Sequence, residues 1–146
     1  MKMELAGARG VLENYKRAVG EKDVEQFLSV YAPDVHIYDC WGNWEIAGAS
    51  SWKHSVAEWF DGLKEEGAFL KVDFNDLVIN ESSDLAFVHC AVTFAAHDEK
   101  SGEKLRQIVN RFTFALRKVN EAWLIIHEHS SLPINPETGK GMFDLK

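Results

Sequence analysis

Residues 123–133 have the sequence Trp-Leu-Ile-Ile-His-Glu-His-Ser-Ser-Leu-Pro, and this stretch anchors the interpretation of the whole chain. Its β-branched and apolar residues are typical of a strand, and Pro133 ends strand pairing. Three earlier runs of the same character are separated from it and from one another by polar turns, at residues 80–84, 98–102 and 119–121. The sequence therefore predicts four consecutive antiparallel strands in the second half of the chain.

The first half of the chain follows a helical spacing instead. Apolar residues at steps of three and four predict a helix from about Leu5 to Gly20 and another from about Ser50 to Gly67. Asp23 is a plausible N-cap for a helix between them, which we expect Pro33 to close, and a short strand follows from Val35 to Asp39. Helices first and an antiparallel meander second predict an α+β fold, with three N-terminal helices packed on one face of a curved sheet.

Length and composition indicate one domain without nucleic-acid or membrane partners. The chain has 146 residues and a net charge of -7 with no basic run, whereas a nucleic-acid binder needs basic groups for the phosphates. No run approaches the ~20 apolar residues that cross a bilayer. The start of the sequence lacks the apolar region of a signal peptide, and two cysteines form at most one disulfide. We expect a cytoplasmic single domain over residues 1–146, with a core at about 5–134 and a loose C-terminal tail.

The last strand has apolar residues at both odd and even positions. Leu124 and Ile126 alternate with Trp123 and Ile125, so both faces of the strand are suited to burial. A second copy of the chain is the simplest cover for the outer face. The sequence therefore predicts a homodimer.

The densest polar cluster also lies in this strand. Strict alternation places His127, His129 and Ser131 on one face with Trp123, and places Glu128 with Ser130 on the other. Two imidazoles on one face could act as acid and base, bind a metal ion, or simply bond to neighbouring strands. If the opposite face lines the pocket, Glu128 and Ser130 replace the histidines there.

Two further residues are candidates for acid–base chemistry. Asp39 ends the short strand and precedes Trp41 and Trp44, where low polarity would raise its pKa and suit a general base. An Asp in this position also commonly caps the following turn. Tyr15 lies on the apolar stripe of the first helix, so its hydroxyl needs a partner, either a substrate oxygen or a backbone carbonyl.

The remaining candidates would bind the substrate. Arg111 lies in mid-strand on the same face as Thr113, as a carboxylate clamp or as part of an interface ion pair. Much of the aromatic excess falls between the first strand and the end of the third helix, and we expect it to form the pocket wall: Trp41, Trp44, Trp52, Trp59 and Phe60.

The element order and the ending W-x-I-x-H-x-H-x-S resemble the SnoaL-like, ketosteroid-isomerase-homologue branch of the nuclear-transport-factor-2-like (NTF2-like) superfamily, over about residues 5 to 134. The resemblance implies a cystatin-like cone around a deep apolar pocket. It also implies that Tyr15 stabilises an enolate and that Asp39 shuttles a proton. Steroid isomerases use a second, protonated Asp, and Thr113 stands at about that position here, which suggests a different chemistry through His127 and His129.

We therefore expect a small-molecule enzyme that works by acid–base catalysis without a cofactor on an apolar, oxygenated substrate, as an isomerase, cyclase, dehydratase or hydrolase. A non-catalytic ligand-binding or dimerisation module with the same pocket is the alternative. A metal-assisted enzyme would need a third ligand, and the sequence contains no HExxH helix or Cys pair at ligand spacing, so no metal is expected.

Overall fold

A computed structural model describes residues 7–145 of the chain. Its elements in chain order are helices α1 (Gly7–Glu21) and α2 (Val24–Leu28), strands β1 (Tyr31–Tyr38) and β2 (Ile46–Ala47), helix α3 (Ala49–Glu66), and strands β3 (Ala68–Glu81), β4 (Leu85–Asp98), β5 (Lys104–Val119) and β6 (Ala122–Ser131). The predicted α+β order is confirmed. Leu5, which we placed at the start of the first helix, lies outside the described residues.

The helices form where the sequence predicts them, although the second is shorter. Asp23 caps α2, its Oδ1 accepting a hydrogen bond from the backbone N–H of Gln26 at 3.0 Å. We expected Pro33 to close this helix, but α2 ends at Leu28 and the chain extends so that Tyr31 pairs with β6. Pro33 lies inside β1, in the stretch where the register with β6 shifts, so its missing N–H is tolerated there.

Helix α3 carries the aromatic side chains of the first half and ends at Gly67. This glycine adopts the left-handed conformation at φ 74°, and its N–H bonds to the carbonyls of Leu63 and Lys64. Among the described helices, none combines the length and apolar character needed to cross a bilayer.

Gly67→Ala is expected to lower the free energy of unfolding by about 1 kcal/mol, because an L side chain at this positive φ is strained. A Cβ added here meets no atom within 4 Å, so the cost is conformational. Gly62→Ala is the matched control: it lies within α3, its Cβ also meets nothing, and it should stabilise by about 0.5–1 kcal/mol. Urea unfolding measures both variants, and effects of the same sign would contradict this account.

The six strands form one curved, open sheet in the order β2-β1-β6-β5-β4-β3. The meander β3 to β6 is antiparallel as predicted, whereas β1 pairs in parallel with β6. The helices cover one face, and between them and the sheet lies an apolar core whose fully buried members include Phe27, Phe114, Leu116 and Ile125.

A β-bulge at Ile126 decides which side chains of β6 face this core. Leu116 pairs with Ile125 and the adjacent Ala115 pairs with His127, so Ile126 is an extra residue in the ladder. Because of this insertion the inward positions change from odd to even numbers. Ile125 and Glu128 both point inward, although they are three residues apart.

We expected a loose C-terminal tail, but the segment after Pro133 is folded back. Ile134 forms a β-bridge with Gly141, and the backbone N–H of Val109 in β5 donates to the carbonyl of Phe143 at 2.9 Å. The ring of Phe143 stacks on Trp41 at 5.2 Å between centroids. The tail is therefore tied to the sheet.

Candidate functional site

Between the helix-covered face of the sheet and helix α3 lies a partly open cavity of about 850 Å³, a volume suited to a small organic molecule. Most of its wall is apolar. The aromatic side chains that line it are Tyr15, Trp41, Trp52, Trp59, Phe94 and Phe112.

Asp39 lies at this cavity, immediately after β1. Ser130 on β6 holds its carboxylate: the Ser130 hydroxyl donates to Asp39 Oδ1 at 3.2 Å and accepts from the backbone N–H of Cys40 at 2.9 Å. Burial raises the pKa of Asp39, while hydrogen bonds from Ser130 and from the backbone of Cys40 and Trp41 oppose the rise. The result is an oriented carboxylate that is more basic than an exposed one.

Glu128 is a second carboxyl group on the wall of the same cavity, and it is only 2% exposed. Burial raises its pKa to about 8, the nearby Asp39 carboxylate adds to the rise, and a hydrogen bond from Tyr31 opposes it. The Tyr31 hydroxyl donates to Glu128 Oε1. At neutral pH Glu128 is therefore mostly protonated and can itself donate from its other oxygen.

Tyr15 reaches the cavity from α1, as predicted. Its ring lies among those of Phe27, Phe74, Phe112 and Phe114, with centroid distances of 5.0 to 6.4 Å. Burial, followed by the charges of the nearby acidic groups, raises the pKa of Tyr15 well above its ordinary value. The hydroxyl therefore keeps its proton and serves as a donor.

The structure separates the aromatic candidates into two groups. Trp41, Trp52 and Trp59 line the cavity as expected. Trp44 is 89% exposed and is absent from the lining, because it lies in the irregular segment between β1 and β2. Phe60 is fully buried but packs in the core against Phe27 and Trp59 rather than facing the cavity.

The candidates that we placed on the odd-numbered face of β6 lie on the opposite face of the sheet from the cavity. His127, His129 and Ser131 were expected to share a face with Trp123 and Ile125, and that expectation is wrong because of the bulge at Ile126. The alternative, in which Glu128 and Ser130 face inward, matches the structure.

Arg111 and Thr113 share one face, as expected, but this is also the outer face. Thr113 pairs with His129 and Arg111 pairs with Ser131, and neither of the two β5 residues lines the cavity. An exposed Arg111 outside the cavity does not reach a ligand inside it. The outer face is left uncovered by the single chain, with Phe87 48% exposed, and the second copy stays a prediction.

Two histidines on the outer face of the sheet, His127 in β6 and His36 in β1, contact each other across the strands. His127 Nδ1 donates to the backbone carbonyl of His36 at 2.8 Å and lies 3.1 Å from His36 Nδ1. Burial and the nearby imidazoles lower the pKa of His127, against a smaller opposing effect of the bond to His36. Within residues 7–145, no three His, Cys, Asp or Glu side chains are grouped so that they could hold a metal ion.

The two polar residues of β5 on the cavity wall were missed at the sequence level. Asn110 in β5 is buried on the wall, and Arg106 of the same strand also faces the cavity. The signal was present: Asn110 has the same parity as Phe112 and Phe114, so alternation from these aromatic residues would have placed it inward.

Comparison with known proteins identifies the family to which the chain belongs. Residues 9–135 match the model of the SnoaL-like domain. No curated protein sequence matches significantly.

The solved structures that resemble this chain share its fold at low identity. An NTF2-like protein of unknown function from Pseudomonas putida has a TM-score of 0.81 at 24% identity, over 94% of this chain and 92% of that one. An uncharacterized protein with a cystatin-like fold from Caulobacter vibrioides scores 0.67 at 16% identity, over 88% of both chains. A ketosteroid isomerase-like protein from Erwinia carotovora scores 0.59 at 19% identity, over 84% and 91%.

The helix order and the curved open sheet agree with this match over most of the chain. The chain therefore belongs to the SnoaL-like domain family and has the cystatin-like, NTF2-like fold.

Proposed function

We propose that the protein is an enzyme that moves a proton at a carbon atom of an apolar, oxygenated small molecule without a cofactor. The observation that carries this proposal is the pair of carboxyl groups in one apolar cavity: Asp39, which is held by Ser130, and Glu128, which is buried and neutral. Two acidic groups whose environments differ in this way suit a base and an acid.

The reaction follows from these positions. Asp39 removes a proton from a carbon next to a carbonyl group, and the electrons of the C–H bond form a C=C bond. The carbonyl π electrons move to oxygen, and Glu128 and Tyr15 donate hydrogen bonds to the resulting enolate. Return of the proton from Asp39 to another carbon completes an isomerisation. In a dehydration the enolate electrons re-form the C=O bond and shift the C=C bond toward the neighbouring carbon, whose hydroxyl leaves as water with a proton from Glu128. Loss of the proton on Asp39 and uptake of one by Glu128 then restore the two groups.

Glu128 and Tyr15 as a pair of donors also account for the second donor to the enolate oxygen, which the resemblance alone did not identify. The second oxyanion donor of steroid isomerases has no equivalent at Thr113, which faces the other side of the sheet. Glu128 supplies a protonated carboxyl group from a different strand. The ketosteroid isomerase-like fold of the Erwinia carotovora protein is consistent with this proposal.

A pH–rate profile tests the proposal with 5-nitrobenzisoxazole, a small aromatic probe that opens to a coloured cyanophenolate when a base removes its C–H proton. The rate should rise as Asp39 ionises, above the ordinary carboxyl pKa, because burial raises that pKa. It should fall as Glu128 ionises near pH 8, because the donor to the leaving oxygen is then lost.

Glu128→Gln is the diagnostic variant, because a carboxamide still donates but does not titrate. The alkaline fall should disappear in this variant while the acid limb remains. A profile in which Glu128→Gln keeps the fall near pH 8 would assign that limb to another group. Binding of the probe with no rate above buffer would favour the non-catalytic ligand-binding module.

A further inference from the structure

A buried carboxamide in the cavity has an oxygen without a partner. Asn110 is 3% exposed and lies on the cavity wall. Its Nδ2 donates to Cys40 Sγ at 3.4 Å, whereas its Oδ1 has no hydrogen-bond partner among the described residues. Leaving a buried carbonyl oxygen unpaired is costly, so this oxygen is suited to a donor on the ligand.

The charged groups around the cavity are mainly acidic. The carboxyl groups of Asp39, Glu58, Glu66 and Glu128 line it, and Arg106 is the one basic side chain among its described lining residues. Glu66 already occupies the guanidinium fork of Arg106, with hydrogen bonds of 2.5 and 2.7 Å.

This distribution disfavours a negatively charged ligand. An anion in the cavity would lose water, meet the Asp39 carboxylate, and have to displace Glu66 in order to pair with Arg106. A neutral group avoids these costs. A positively charged amine also loses water, but the Asp39 carboxylate attracts it, and tryptophan side chains on the wall are suited to a cation. We had expected Arg111 to hold a substrate acid group, and the cavity offers no such partner at that position.

We propose that Asn110 determines the ligand specificity of the cavity: its Oδ1 accepts a hydrogen bond from a hydroxyl or amine group on an otherwise apolar ring compound that carries no negative charge. The inference rests on the proposed function in that it concerns the same cavity. It describes binding, however, and needs no turnover.

Calorimetric titration with four probes of one shape tests this proposal. 2-Naphthol and 2-naphthylmethylamine carry a donor, 2-methoxynaphthalene lacks one, and 2-naphthoate is an anion. At neutral pH we expect both donor probes to bind about tenfold more tightly than the methyl ether. We expect naphthoate to bind at least about tenfold more weakly than naphthol.

Asn110→Leu keeps the side-chain size and removes the acceptor, so the advantage of naphthol over its methyl ether should fall to about onefold. Asn80→Leu is the matched control: it makes the same change at an exposed position of β3, outside the cavity, and should keep that advantage. Circular dichroism establishes that each variant is folded.

The proposal is overturned if the methyl ether binds the unaltered protein as tightly as naphthol, if naphthoate binds most tightly, or if a folded Asn110→Leu keeps the preference. The first two comparisons need no variant and therefore stand even if Asn110→Leu does not fold. Selective binding together with an Asp39→Asn variant of normal rate would leave this inference standing and remove the proposed function.

Discussion

Replacing Asp39 by Asn is expected to lower the protein-catalysed opening of 5-nitrobenzisoxazole by about 100-fold or more, the usual contribution of a general base. The carboxamide is nearly the same size, and its oxygen can still accept the hydrogen bond that Ser130 gives to Oδ1. The change therefore removes the base without removing its support. Initial rates at saturating and limiting probe separate a loss in kcat from a loss in binding.

Asp34→Asn provides the matched control, because it makes the same change at an exposed position of β1, the strand that Asp39 follows, and outside the cavity. This control should retain the rate of the unaltered protein. An Asp39→Asn variant that is folded and equally fast would show that Asp39 is not the base. If both variants and the unaltered protein bind the probe but do not accelerate it, the protein is a ligand-binding module instead.

The fold could be predicted from the sequence because its helices and strands are long, and each shows a regular apolar pattern between clear turn residues. The alternation of Leu70, Val72 and Phe74 with polar residues and the turn at residues 80–84 predict β3 and the β3–β4 connection, and the structure has both. The apolar stripe through Tyr15 predicts α1 in the same way, because burial of one helix face leaves a regular pattern. The two-residue strand β2 has no such pattern and was not predicted.

The site was harder to predict, because one inserted residue in β6 changes which side chains of that strand line the cavity. Regular alternation in β6 sends His127 and Glu128 to opposite faces, and the bulge at Ile126 decides which face each takes. A bulge depends on the pairing with β5, which a single strand does not encode. Tyr15 and Asp39 do line the cavity: Tyr15 follows from the apolar stripe of α1, whereas Asp39 was chosen for its neighbouring tryptophans and for the family resemblance.

The two carboxyl groups of the cavity differ for a physical reason that the contacts explain. Asp39 receives a hydrogen bond from Ser130 and has backbone N–H groups beside it, all of which favour its charged form. Glu128 receives a single one, from Tyr31, and is more fully removed from water. The environment therefore makes one a base and leaves the other protonated, although both line the same apolar wall.

Buried Glu128 should also make the stability of the protein fall as the pH rises from about 4.5 to about 8. The folded protein holds the proton of Glu128 up to about pH 8, whereas the unfolded chain releases it near the ordinary value of 4.5. Between these values the folded state binds more protons, so the free energy of unfolding decreases as the pH increases. A difference of about 3.5 units at 1.36 kcal/mol per unit gives a loss of about 5 kcal/mol across this range.

Glu128→Gln is neutral at every pH, so its unfolding free energy relative to that of the unaltered protein should increase by about 5 kcal/mol between pH 4.5 and 8. Urea unfolding at several pH values, followed by tryptophan fluorescence, measures this difference. Asp39 changes the stability with pH in the same direction and His127 in the opposite one, but both residues are present in the two proteins and their effects cancel in the comparison.

Glu13→Gln makes the same change at an exposed position of α1 and should leave the pH dependence of the stability unaltered. Parallel stability curves for Glu128→Gln and the unaltered protein would mean that Glu128 ionises normally in the fold, and the neutral donor required for catalysis would then be absent.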